Sequence, residues 1–313
     1  MTKHLYIYSP SGAIRDKAAF KRGVRTLESL GFAVEIDPDA LTSFQRFAGS
    51  DETRLAAIHR AAASGADIAM ISRGGYGITR LLGHINYKAL ERAVSKGTQF
   101  VGLSDFTALQ LALFAKTGAS TWAGPSLMDD FGTPKVADGT VTAPDDIMVD
   151  CFGDLAVGQG EGTGWRLGVD TALAKDKFHI KDAVLWGGNL TVLTSLIGTP
   201  YLPEVKGGVL FLEDVAEHPY RIERMLTQML HAGILKRQKA IVLGQFTAYK
   251  LNSHDRGFKF RAVRDWLRTQ TRVPILTNLP FGHVQTKVVL PVGLKADLVV
   301  EGRDALILWG AAH

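Results

Sequence analysis

Along this chain, short continuous apolar runs alternate with longer stretches of helical spacing. Leu5 to Tyr8 reads as a buried strand, Arg15 to Leu30 as a helix, and Phe32 to Ile36 as a second strand after Gly31. Strand, helix and strand in succession form a βαβ unit, which predicts a parallel sheet because a crossover helix returns the chain to the same edge. The pattern then repeats. Asp51-Glu52-Thr53 opens a helix that Gly65 ends, Ile68 to Ile71 is an apolar strand, and Ser72-Arg73-Gly74-Gly75-Tyr76-Gly77 leads into the helical Ile78 to Leu82. Phe100 and Val101 close a further strand. Gly102-Leu103-Ser104-Asp105 bends, and Phe106, Leu109 and Leu113, with Ala108 and Ala112, lay out the next helix. Loops 72–77 and 102–106 therefore fall at the C-terminal ends of parallel strands, the edge where open α/β sheets bind ligands. They are expected to face each other across one cleft.

The second half is organised differently. From Trp122 to Asp182 periodicity is poor and Gly, Pro, Asp and Thr are frequent, which predicts the connection between two domains. The expected division is 1–150 for an α/β domain, 151–175 for the connection and 176–313 for a second domain. Val184 and Leu185 lead into Trp186-Gly187-Gly188-Asn189-Leu190, and Val209 to Leu212 forms a continuous apolar strand ending in Glu213-Asp214. Pro219 opens a helix whose apolar face is Ile222, Met225, Leu226, Met229 and Leu230. After a strand at Ala240 to Leu243, a polar loop and a helix over Phe260 to Leu267, Pro280-Phe281-Gly282-His283 forms a rigid turn. Strands over Lys287 to Leu290, Asp297 to Glu301 and Ala305 to Trp309 close the chain.

Three residues stand where chemistry needs them. Ser104 lies on a strand-to-helix turn, where helix N–H groups without partners face a developing negative charge. Ser104 also reads as a helix N-cap, as does Asp105, and capping is the commoner use of such residues. Glu213 ends a buried strand, where a carboxylate is costly unless something pairs with it. His283 sits on a loop. Serine, acid and histidine in that order match the α/β hydrolases, although Phe106 stands where their G-x-S-x-G elbow has its last glycine. The glycine-rich loop 72–77 reads equally as a tight turn and as a backbone that approaches a ligand.

Composition narrows the classes. The chain has 313 residues, 46% of them hydrophobic and 21% charged, which suits a globular protein with a full core. The only apolar run near the start, Leu5 to Tyr8, is too short for a secretory signal or a membrane helix, and the expected compartment is the cytoplasm. A single cysteine, Cys151, excludes an internal disulfide and a cysteine-based metal site. No histidine pair has the i, i+4 spacing of a helical zinc motif, so no metal is expected. The net charge of +5 is spread along the chain without a basic stripe and interleaved aromatics, which argues against nucleic acid. Ser9-Pro10-Ser11-Gly12 matches no phosphate-binding fingerprint.

Ser72-Arg73-Gly74-Gly75-Tyr76-Gly77, Gly102 to Ala108, Leu185 to Leu190, Leu212-Glu213-Asp214 with Pro219 to Leu226, and Phe281-Gly282-His283 together resemble the LD-carboxypeptidases, or muramoyltetrapeptide carboxypeptidases. The motifs follow family order over nearly the whole chain. The resemblance implies a glutaminase-like α/β N-terminal domain with a parallel sheet, a smaller β-rich C-terminal domain and an active site at their interface. It also implies a serine peptidase, usually a homodimer, that removes terminal D-alanine from murein tetrapeptides in cell-wall recycling without metal or organic cofactor. By motif match Ser104 is the nucleophile, His283 the general base and Glu213 its orienting acid. The backbone N–H groups of Asp105 and Gly75 would form the oxyanion hole. An exopeptidase must also grip a free carboxylate, for which Arg73 and the neighbouring Tyr76 are candidates by position. Two other readings stand beside this one: a hydrolase of peptide-nucleotide toxin amides that confers immunity, and a non-catalytic ligand-binding module.

Overall fold

The computed structural model describes residues 2–132, 142–169 and 177–310. In chain order its regular elements are β1 (His4–Tyr8), α1 (Lys17–Ser29), β2 (Ala33–Ile36), α2 (Asp51–Ala63), β3 (Ile68–Ile71), α3 (Tyr87–Ser95), β4 (Gln99–Gly102), α4 (Thr107–Thr117) and β5 (Thr121–Ala123). There follow α5 (Asp146–Val157), β6 (Gly162–Arg166), β7 (Lys177–Asn189), α6 (Leu190–Ser195), β8 (Val209–Val215) and α7 (Pro219–His231). Then come β9 (Ala240–Thr247), α8 (Phe260–Gln270), β10 (Ile275–Leu276), β11 (Leu290–Val292), β12 (Lys295–Glu301) and β13 (Asp304–Leu308). The result is a mixed α/β chain with two sheets.

The first sheet has the order β11-β5-β4-β3-β1-β2, parallel throughout except for β11. All four residues of β3 are buried, as the centre of a sheet covered on both faces requires. Helix α1 is capped by Asp16, which accepts the Ala19 N–H at 2.8 Å, and it buries Ala19, Phe20, Gly23 and Leu27 against the sheet. The second sheet has the order β10-β9-β8-β7-β12-β13-β6 and is parallel from β10 to β7 and antiparallel beyond. Pro219 opens α7, and the five apolar residues read from its sequence are the ones it buries.

Two features differ from the sequence reading. The stretch expected to be irregular contains β6 and the start of β7, and also α5, which is capped by Asp145 and buries Met148, Phe152, Leu155 and Ala156. Those positions keep helical spacing, but the turn-forming residues on both sides obscure it; residues 170–175 of the expected connection lie outside the described residues. Of the strand expected over Lys287 to Leu290, only Leu290 is in a strand. β11 begins there and pairs antiparallel with β5 on the first sheet, with Pro291 tolerated because the strand is an edge. The loop carrying His283 thus leaves the second sheet at β10 and lands on the first. No helix among the described residues is long and apolar enough to cross a membrane.

Candidate active site

Ser104 follows β4 after the single residue Leu103 and has φ +64°, the left-handed region that costs an ordinary residue about 1–2 kcal/mol. The strain is held in place from two sides. Gly74 packs so closely that a Cβ there would lie 2.6 Å from Ser104 Cβ and 2.8 Å from its Oγ. Asp105, buried, accepts from the Ser11 hydroxyl at 2.7 Å and the Ile78 N–H at 3.0 Å, joining the loop after β1, the glycine loop and the serine turn. Burial pushes the Asp105 carboxyl above its ordinary value, against the pull of those donors. The cap positions are Leu103 for the turn and Phe106 for α4, neither with a side-chain capping bond, so Ser104 is not the N-cap. The Asp105 side chain is spent on other loops.

Across from this turn, Glu213 on β8 is fully buried and accepts from His283 Nδ1 at 2.8 Å. Its second oxygen accepts from Asn189 Nδ2 at 3.0 Å. Asn189 caps α6 through its Oδ1, which fixes the amide orientation, and the same Nδ2 reaches Asp214 at 3.2 Å. Asp214 is held by the Thr191 N–H and hydroxyl, and burial followed by the charge of Glu213 raises it to about 6. The Asn189 N–H donates to Thr107 Oγ1 at 3.1 Å. A continuous chain of bonds therefore runs from the first turn of the helix behind Ser104, through Asn189 and Glu213, to His283. Gly188 lets β7 come this close, since at φ +129° a Cβ would sit 2.6 Å from Thr107 Oγ1.

The imidazole is about one-fifth exposed. Burial lowers its proton affinity, but the hydrogen bond and charge of Glu213 outweigh this, so the His283 pKa is raised; Lys287 works against the rise and Asp129 with it. Gly282, at φ +136°, brings the loop within reach, for a Cβ there would lie 3.1 Å from Glu213 Oε2. Gln245 N donates to the Phe281 carbonyl at 2.9 Å, and the buried Phe281 ring packs edge-on against Phe211. The loop is fastened just before the histidine.

Among the other predicted residues, Gly75 has φ +124° and lies against Gly12, and the Gly12 N–H donates to the Gly74 carbonyl at 3.2 Å. Arg73 is half-buried and donates to the Ala13 carbonyl at 3.2 Å. Tyr76 is 46% exposed, near Phe47 and under the Arg46 guanidinium. The sequence reading missed Asn189, although it lies in one of the quoted motifs, as well as Thr107, Asp130 and Lys287. An Asn before a helix was visible as a cap; its contact with a strand distant in sequence was not. No group of three or more metal-ligating side chains is found among the described residues.

A strained serine on a strand-to-helix turn and, on other elements of the same α/β chain, a histidine bonded to a buried carboxylate are the groups that serine hydrolases use as a class. Within that class the family is specific. Residues 5–124 match the LD-carboxypeptidase N-terminal domain and residues 182–298 the LD-carboxypeptidase C-terminal domain, and the chain belongs to the LD-carboxypeptidase family. It is similar to the crystal structure of muramoyltetrapeptide carboxypeptidase from Oxalobacter formigenes, with a TM-score of 0.85 and 37% identity over 98% of each chain. A Bacillus subtilis protein named "Probable murein peptide carboxypeptidase" is 29% identical over 92% of this chain and 86% of its own length. The microcin C7 self-immunity protein of Escherichia coli is 25% identical over 96% of this chain and 90% of its own.

Proposed function

We propose that this chain is a serine LD-carboxypeptidase that hydrolyses the L,D bond to the terminal D-alanine of murein tetrapeptides, acting as a homodimer in cytoplasmic cell-wall recycling. The observation that carries the chemistry is the 2.8 Å bond from His283 Nδ1 to a fully buried Glu213 whose other oxygen is already occupied. With Glu213 as acceptor the imidazole proton stays on Nδ1, which leaves the Nε2 lone pair for Ser104. The names of the relatives support the substrate.

In this reading Ser104 Oγ attacks the scissile carbonyl and His283 takes its proton. Glu213 stabilises the imidazolium, and D-alanine leaves with the proton returned. Water then attacks the acyl-enzyme with His283 again as base. Asp105 N–H lies at the start of the turn Ser104–Phe106, where the first backbone donors have no earlier carbonyl within the turn to bond, as suits an oxyanion donor. The Gly74 carbonyl is held toward Gly12, so the trans peptide directs the Gly75 N–H the opposite way, which supports it as the second donor. Arg73, fixed at one guanidinium nitrogen, and the exposed Tyr76 are proposed to contact substrate from the same rim.

The test is the mass change of a purified murein tetrapeptide with wild type and with Ser104→Ala, in EDTA. Loss of one alanine by wild type only is expected. Cleavage by both would remove Ser104 from the mechanism. Cleavage by neither, with turnover of an aminoacyl-nucleotide amide, would transfer the site to the toxin-immunity reaction; turnover of neither substrate would leave a binding module.

A further inference from the structure

The loop that holds His283 carries a second charged residue, and the fold treats it unusually. Lys287 Nζ lies 2.6 Å from Asp130 Oδ1, with side chains 2% and 1% exposed. Asp130 belongs to the π-helical turn Leu127–Phe131 that follows β5. Its other oxygen accepts the Ser126 N–H at 2.8 Å, and Met128 N donates to the Ser72 carbonyl at 2.9 Å, at the root of the glycine loop. Ser72 Oγ is in turn bonded to Ser9 Oγ at 2.6 Å. The ion pair therefore ties the His283 loop to the turn that supports the glycine loop, while Glu213 ties the imidazole to the second sheet.

Stability does not require such a pair. Removing two charges from water is expensive, and an apolar pair of similar volume in the same place is often as stable or more so. What an apolar pair would not supply is a charge. The charged groups that face His283 are Glu213 from β8, Asp129 from the helical turn and Lys287 from its own loop, two negative and one positive. Both carboxylates favour the imidazolium, which is useless as a base; the Lys287 ammonium is the one group that opposes them.

We propose that the buried Asp130–Lys287 pair is a positioning pair for the base, fixing the His283 loop on the first sheet and setting one cation beside the imidazole. The role rests on His283 acting as the base in the proposed reaction. It is tested by NMR titration of the His283 ring in wild type, in Lys287→Met and in the apolar double variant Asp130→Leu/Lys287→Met, together with the pH profile of kcat/KM on the tetrapeptide. The double variant is included because the single one leaves a buried carboxylate alone and can fail to fold. The titration midpoint and the acid limb are both expected to rise, in Lys287→Met by on the order of half a pH unit for the loss of one nearby charge across a partly wet site, and by less in the double variant, which loses a carboxylate as well. The kcat at pH 7 is expected to drop about tenfold, with KM within about twofold, as for a displaced catalytic group.

An unchanged midpoint in the folded double variant overturns the proposal and leaves the pair as a packing feature. The titration needs no turnover, so the two readings fail separately. A shifted midpoint in a protein that cleaves no tetrapeptide overturns the peptidase reading instead.

Discussion

The contact between Gly74 and Ser104 gives the most direct test of whether the glycine loop and the serine turn form one site. The perturbation is Gly74→Ala. The Gly74 backbone lies outside the left-handed region, so alanine brings no φ strain of its own and only the added methyl acts. That methyl would sit 2.6 Å from Ser104 Cβ and 2.8 Å from Oγ, where carbon atoms rest about 3.5–4.0 Å apart. The two loops must separate by about 1 Å. Ser104 cannot give way easily, because Asp105 next to it is bonded to Ser11 and Ile78. A displacement of about 1 Å at a reacting group costs on the order of a hundredfold in rate, or about 2.7 kcal/mol of barrier. Overpacking adds about 1–3 kcal/mol to the stability cost. The assay is kcat/KM on the tetrapeptide beside a thermal melt. Gly65→Ala serves as control, since Gly65 has φ +70° and a Cβ there meets nothing within 4 Å. It should lower the melting point and leave kcat/KM unchanged. If Gly74→Ala keeps kcat/KM within about threefold of wild type, a rigid steric contact of this kind is refuted.

The raised pKa of His283 places the acid limb of kcat/KM above 6.5, because the protonated ring cannot accept the Ser104 proton and the ordinary histidine value is about 6.5. A limb at or below that value would contradict the bond to Glu213. Glu213→Gln removes the largest upward influence on the ring and should move the limb down while kcat drops roughly 10⁴-fold through loss of the correct tautomer. Asn189→Leu takes the shared donor from two buried carboxylates. It should cost about 1–3 kcal/mol in chemical denaturation and about tenfold in kcat through a looser Glu213; unchanged values for both would mean that Asn189 holds nothing.

How much of this was legible in the sequence depended on how local the cause is. The parallel order of the first sheet followed from βαβ patterning, and the buried face of α7 could be read from Ile222 to Leu230 because helical spacing is a property of neighbours. Helix α5 was hidden since its apolar residues lie between turn-forming stretches that mimic a linker. At the site, single residues such as Ser104, Glu213 and His283 stand out by type and by position at element ends. Their partners do not. Lys287 reads only as the first residue of a strand and Asp130 is not singled out; only the return of the chain to the first sheet at β11 brings them to 2.6 Å. Asn189 satisfies a local rule as a cap, and that local sufficiency conceals its second use.

Asp105 shows how the fold keeps a carboxylate beside a nucleophile without letting it interfere. An ionised side chain free to rotate next to Ser104 would repel the developing oxyanion and compete for the serine proton. Here the carboxyl is turned away into the core, where one oxygen takes both the Ser11 hydroxyl and the Ile78 N–H. Arg54 lies close enough to stabilise its charge while making its own bonds to Asp51 and the Pro10 carbonyl. Its side chain stitches the loops after β1, β3 and β4 into one rigid edge. That leaves the backbone N–H at the start of the turn Ser104–Phe106 as the part of Asp105 that the proposed reaction would use, since the first donors of a helical turn have no earlier carbonyl to bond and suit an anion.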